Sequence, residues 1–228
     1  MHAATIEVLA WASLAFVGSH FLLSHPLRAP LARRLGEKGF LGLYSLVALG
    51  TFVWMVLAFR RTPYQTMLWD GQAEWLWIVS SLITIVALVL FLGSLFGNPA
   101  FPGAQPPAAG IPPPVGVYRI TRHPMMWGFA LWALAHIAVA PTGRTIVLAG
   151  AILILALVGS ALQDRKKRRQ IGAAWDRWQA QTSFAPRFER IGAANWKLWL
   201  GAGVAWLALT WLHIPLAYVP AGIWRWFG

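Results

Sequence analysis

The chain has 228 residues, of which 58% are apolar and only 11% charged, where a soluble domain carries roughly 25% charge. Those proportions exclude a water-soluble globule, and 15 Trp with 12 Phe exclude a disordered chain. The absence of cysteine removes disulfides, zinc–thiolate sites, iron–sulfur clusters and thiol catalysis.

A helix crosses the hydrocarbon core of a bilayer with about 20 apolar residues. Six stretches meet or approach that length, at 5–24, 40–59, 74–96, 125–140, 145–162 and 196–219. The first lacks a basic leader, with only Met1, His2 and Glu7 before its apolar core, and no small-residue cleavage site follows, so it reads as a retained span. The fourth is short and starts behind Pro124, a residue suited to a first helical turn. The last contains Pro215 and is expected to kink or stop early. The segment 25–39 is basic with interspersed leucines and reads as interfacial. Residues 98–115 hold seven prolines and read as an irregular loop. The segment 164–190 opens with a basic cluster and continues through Trp175 and Trp178, the pattern of a helix lying along a membrane surface. The expectation is an all-α integral membrane protein: one membrane domain over 1–228, a bundle of about six transmembrane helices and a cytoplasmic interfacial helix.

The net charge of +12 acquires its meaning from this map. Fifteen of the 19 basic residues fall on one face, at Arg28 to Lys38, Arg119, Arg122, and Arg165 to Lys197. Arg60, Arg61, Arg144 and Arg225 fall on the other. The positive-inside rule places the crowded face in the cytoplasm and both termini outside. The charge therefore reports orientation and attraction to anionic headgroups rather than a nucleic-acid partner. The bilayer is the expected partner, and a bacterial inner membrane the expected location.

Histidines inside apolar helices are costly and point to a role. His213, beside Pro215, reads as a carbonyl cap, and His25, before Pro26, as an interfacial residue. His20 and His136 lie within spans. Helical spacing puts Ser13, Phe16, Val17 and Ser24 on the face of His20, and Gly128, Phe129, Trp132 and Ala133 on that of His136. Two readings stay open for each: a packing hydrogen bond to a neighbouring helix, or an imidazole beside room for a flat aromatic ligand, such as haem whose iron it would ligate. A third constellation is Tyr118-Arg119-Ile120-Thr121-Arg122-His123-Pro124, ending at Gly128. Its two arginines and a histidine stand at a helix start, where dipole and backbone N–H groups favour an anion that two guanidiniums would clamp.

Arg119 to Pro124 with Leu134-Ala135-His136, Gly18-Ser19-His20 with Leu35 to Ser45, and Asp164-Arg165-Lys166 with Thr182 to Pro186 together resemble the NnrU family and its plant and cyanobacterial relatives, the 15-cis-zeta-carotene isomerases. The resemblance covers roughly residues 10–190. It implies haem b, with ligands at the positions of His20 and His136, and isomerisation of a cis double bond in a polyene without net redox change. The isomerases carry a cysteine three residues before the second histidine, where this chain has Ala133, so thiolate ligation is lost. Arg119, Arg122 and His123 would then form a second polar site for an anion such as the haem propionates. By depth alone, His123 partners His20 better than His136 does: His20 lies about 6 Å from the cytoplasmic end of its span and His136 about 18 Å from that of its own. Bacterial NnrU proteins are associated with nitrogen-oxide metabolism, so a small gaseous ligand and a non-catalytic haem carrier or sensor are further readings.

The Arg122-His123-Pro124 block is also similar to membrane methyltransferases of the isoprenylcysteine and phospholipid type, which use S-adenosylmethionine. In that comparison Asp164 replaces a glutamate, Trp175 and Trp178 replace tyrosines, and the proline-rich loop would be a substrate lid. Those enzymes do not need histidines at the depths of His20 and His136, which favours the haem reading.

Overall fold

A computed structural model describes residues 5–99 and 111–227, and most of the proline-rich connection at 98–115 lies outside them. Every regular element among the described residues is helical: α1 (Ile6–Ser24), α2 (Arg28–Arg61), α3 (Glu74–Gly93), α4 (Pro124–Val139), α5 (Gly143–Ile171), α6 (Ala173–Gln181), α7 (Trp196–Ala217) and the short α8 (Trp224–Phe227), with single-turn 3-10 segments at Gly116–Arg119 and Phe188–Ala193. Lipid leaves no water to satisfy a bare backbone, so a chain of this composition has to close its hydrogen bonds within helices. Five of the helices, α1, α2, α3, α5 and α7, are long and apolar enough to cross a bilayer. The expected fourth span is α4, whose 16 residues reach about 24 Å, short of the hydrocarbon thickness of about 30 Å. The chain is an integral membrane protein of all-α class.

Two compact units are present, Met1–Gly71 with His136–Leu155, and Gln72–Ala135 with Ala156–Gly228. In the first, α1 and α2 form an antiparallel hairpin. Leu9 and Ala12 pack with Met55 and Ala58, while further along α1 the Phe16 ring lies 5.7 Å from Phe52 and the His20 ring 5.6 Å from Tyr44. The helical path of α2 breaks once, at Gly36 (φ 72°, ψ 165°). A side chain would resist that left-handed backbone. The break separates residues 28–35 from the apolar length that follows, so the expected interfacial stretch is helical and set off from its span by a corner. Arg28 closes the corner with two bonds to Glu37, at 3.4 and 3.1 Å. At the other end of the hairpin, Arg144 donates to Thr62 O at 3.0 Å and lies over the rings of Phe59 and Tyr64.

The second unit is built on α3, α6, α7 and the 3-10 turn at Gly116–Arg119. Its core joins Val89, Leu90, Val117, Tyr118, Ile120, Trp175, Trp178 and Ala202. Here the structure differs from the surface-lying helix expected at 164–190. α5 runs straight through the basic cluster to Ile171, the chain turns at Gly172 (φ 50°), and α6 folds back. Arg168 holds the turn, donating to Asp176 at 2.8 Å and to Gln179 at 2.7 Å. Trp175 and Trp178, three residues apart on one face, are buried in the protein core instead of facing lipid. Trp175 and Trp178 are the buried residues of α6, and the large apolar area of two indoles favours turning that face to the core. Asn195 caps α7 by accepting from Leu198 N at 2.9 Å. Pro215 lies near the end of α7, which closes at Ala217 under a left-handed Tyr218.

Within lipid, close packing replaces the hydrophobic effect as the force between helices, and small residues set the approach distance. A Cβ at Gly128 of α4 would meet Ala87 O of α3 at 2.8 Å, whereas one at Gly50 of α2 would meet nothing within 4 Å. Gly128→Ala is therefore expected to destabilise the protein by about 1–3 kcal/mol through overpacking, and Gly50→Ala to change stability by less than about 0.5 kcal/mol. Reversible denaturation in detergent, compared between the two variants, checks the difference.

Candidate functional site

The densest polar arrangement lies in the second unit, where the start of α4 meets α5. Pro124 opens α4, so the two residues before it are held at a helix start rather than inside a turn of hydrogen bonds. Arg122 donates from Nε at 2.9 Å and from Nη2 at 2.7 Å to one Asp164 oxygen, Oδ2. His123 donates from Nε2 to the other oxygen, Oδ1, at 2.8 Å. The three side chains are shielded, at 12%, 1% and 11% exposure for Arg122, His123 and Asp164. One carboxylate thus serves two donors, each oxygen on its own partner.

The residues 183–187 wall this site. Arg122 N donates to Ser183 O at 2.8 Å and Arg187 N to Ile120 O at 2.9 Å, a short antiparallel clasp between loop and turn. Thr121 Oγ1 donates to Phe184 O at 2.7 Å, as does Trp127 Nε1. The Phe184 ring then lies edge-on to His123 with centroids 5.5 Å apart, and beneath the Arg122 guanidinium at 5.4 Å. Next to the clasp, Tyr118 is buried and its hydroxyl donates toward Ser94 O and Phe96 O. Burial holds that hydroxyl well above the ordinary phenol range, so it stays protonated.

His123 Nδ1 is buried and has no hydrogen-bond partner among the described residues. Because Nε2 donates to a carboxylate, Nδ1 of the neutral ring carries the lone pair.

The sequence-predicted residues separate on this structure. Arg122 and His123 come together, and the residue joining them is Asp164. Arg119 is exposed on the neighbouring 3-10 turn and has no partner in common with Arg122. His20 lies in the first unit, one turn from the end of α1. Its Nδ1 donates to Phe16 O at 2.7 Å, and Phe16 and Tyr44 present their rings edge-on at 4.5 and 5.6 Å. The Nδ1–carbonyl bond leaves the lone pair on Nε2, the arrangement that prepares an imidazole to ligate a metal. His136 belongs to the same unit, half-buried in the last turn of α4, with Ala133 and Ala135 fully packed beside it. His213 bonds its own helix, Nδ1 to Leu209 O at 2.7 Å, as a capping histidine should. Among the described residues no three of His, Asp and Glu gather as a metal-binding group.

A profile of the NnrU protein family matches residues 8–221. The chain belongs to the NnrU family. This NnrU chain is also 27% identical, over 168 residues, to a chloroplastic 15-cis-zeta-carotene isomerase from Zea mays. The match covers 70% of the chain but only 44% of that relative. No solved structure matches. The segment Thr182 to Pro186, legible as a family block, supplies the wall of the Arg122–Asp164–His123 site, a role that only the fold discloses.

Removing one partner from a shielded ion pair strands the other charge, at a cost of about 3–5 kcal/mol, while removing both is far milder. Asp164→Ala is therefore expected to destabilise the protein by about 3–5 kcal/mol. The double variant Arg122→Met/Asp164→Leu is expected to recover much of the loss. Denaturation of the two variants against the parent chain in the same detergent measures both effects, and equal losses would contradict the buried-pair account.

Proposed function

We propose that this chain is a membrane isomerase of lipophilic polyenes that holds haem b through His20 and His136. Two observations support the reading at different depths. Family membership and the isomerase relative supply the reaction class. The observation that carries the cofactor is His20, an imidazole within an apolar helix whose Nδ1 is committed to Phe16 O, leaving Nε2 as the donor atom. The donor set is consistent with haem and with no thiolate, since the chain lacks cysteine.

Bound haem would supply an iron centre able to ease rotation about a polyene double bond with no net redox change. The chain's own share is steric and electronic. Phe16 O fixes the tautomer and turns the His20 ring. Phe16 and Tyr44 confine the ring in plane. The small neighbours Ala133 and Ala135 keep bulk away from His136.

The purified protein is expected to show a Soret band, and His20→Ala and His136→Ala each to diminish or abolish it. Unchanged spectra in both variants overturn the ligand pair. A colourless protein that binds S-adenosylmethionine would return the methyltransferase reading. Six-coordinate iron that takes up neither carbon monoxide nor nitric oxide when reduced would mark a carrier rather than an enzyme.

The orientation proposed is both termini outside and the basic connections in the cytoplasm of a bacterial inner membrane. Of the four basic residues on the sparse face, Arg144 is engaged with Thr62 O and two aromatic rings. Arg225 lies over Trp77 at 4.4 Å and reaches Gln72 and Glu74. The cysteine-free chain permits a direct check. In intact cells an impermeant maleimide is expected to label Thr66→Cys and to leave Glu189→Cys unlabelled until the membrane is opened. The reverse pattern inverts the topology.

A further inference from the structure

Among the described residues, the polar side chains around Asp164 leave one buried acceptor unaccounted for. Both carboxylate oxygens are occupied, Oδ2 by Arg122 and Oδ1 by His123. Thr121 Oγ1 and Trp127 Nε1 are spent on the carbonyls of Ser183 and Phe184. Among the described residues His123 Nδ1 has no hydrogen-bond partner, on a side chain only 1% exposed; Trp175 Nε1 and Trp178 Nε1 of the same unit are also unpartnered, but as donors. A buried polar atom without a partner is uncommon in folded proteins, and one inside an otherwise saturated network calls for a cause.

The surroundings define what it would accept. Asp164 accepts a hydrogen bond from the Nε2–H and turns the ring, so Nδ1 offers the lone pair. An acceptor seeks a donor. Phe184 lies edge-on to the imidazole and Trp127 packs against Phe184 at 6.4 Å, which is an aromatic wall rather than an aqueous one. Arg122 brings no attraction for an anion, because its charge is matched by Asp164. A carboxylate or phosphate is therefore a poor occupant, and a hydroxyl on an apolar body is a good one.

We propose that His123 Nδ1 is the hydrogen-bond acceptor of a second ligand site, independent of His20 and His136, that takes a lipophilic compound bearing a hydroxyl group. Asp164 and Arg122 are positioning residues: Asp164 orients the imidazole and Arg122 balances Asp164. The binding is non-covalent, with the ligand's O–H donating to Nδ1.

The test uses the full-length protein in detergent with nitrogen-15 in its histidine rings. His123 resonances are identified by their loss in His123→Asn. Should that variant not fold, they are identified as the ring signals that Phe184→Leu shifts, given the edge-on contact. Without added compound, His123 is expected to show one protonated nitrogen and one bare nitrogen. Two hydroxyl probes are then titrated, 1-naphthol and 1-decanol, each against a hydrocarbon of matching shape, 1-methylnaphthalene and undecane. At least one alcohol is expected to move the bare-nitrogen signal toward the hydrogen-bonded range with saturation, while neither hydrocarbon does. Asp164→Asn is expected to weaken that alcohol's affinity several-fold and to redistribute the proton between the two ring nitrogens, which a purely structural role would not produce. A His123 ring protonated on both nitrogens, or no movement with either alcohol, or equal movement with alcohol and hydrocarbon, overturns the proposal.

Discussion

A single carboxylate organises the polar interior of the second unit. Asp164 lies near the end of a long apolar helix and receives Arg122 on one oxygen and His123 on the other. In a chain with only 7 acidic residues, a shielded carboxylate is an expensive choice, tolerable only because both partners reach it with good geometry. The consequence is positional. The start of α4 is anchored to α5 by charge, and the clasp of Arg122 N on Ser183 O and Arg187 N on Ile120 O fastens the loop after α6 to the same point. Phe184 is thereby brought onto His123. Remove the carboxylate and the arginine, the imidazole and the loop lose their common reference.

The two units handle histidine differently, and the difference is chemical. His20 donates to a carbonyl of its own helix, which requires no partner helix and leaves a nitrogen lone pair in an apolar, aromatic setting. His123 donates to a carboxylate, which demands tertiary structure and leaves the lone pair on Nδ1. The first arrangement suits a neutral ligand to iron; the second suits an acceptor for a proton-bearing ligand.

Much of the architecture was legible beforehand because lipid imposes it. Five of the six stretches chosen by apolar length are helices long enough to span, since a backbone in hydrocarbon has no alternative to internal hydrogen bonds. The sixth is a helix at the expected place, but with 16 residues. The corner at Gly36 and the turn at Gly172 were not legible as such, because glycine in a sequence marks permission for a positive φ and not its use. The direction of Trp175 and Trp178 misled for a related reason: an aromatic stripe beside a basic cluster reads the same whether it faces lipid or a protein core.

The sequence alone determined the class, the places of the apolar helices, the exclusion of thiolate chemistry, and the blocks by which the family is recognised. Each of these depends on composition or on residues close together in the chain. Only the tertiary structure decided that Arg122 serves Asp164 while Arg119 stays exposed, that Phe184 faces His123, and that His123 retains a buried nitrogen without a partner among the described residues. The two pairings join residues 42 and 61 positions apart, and a charged or aromatic side chain carries no mark in the sequence of the distant group it will meet.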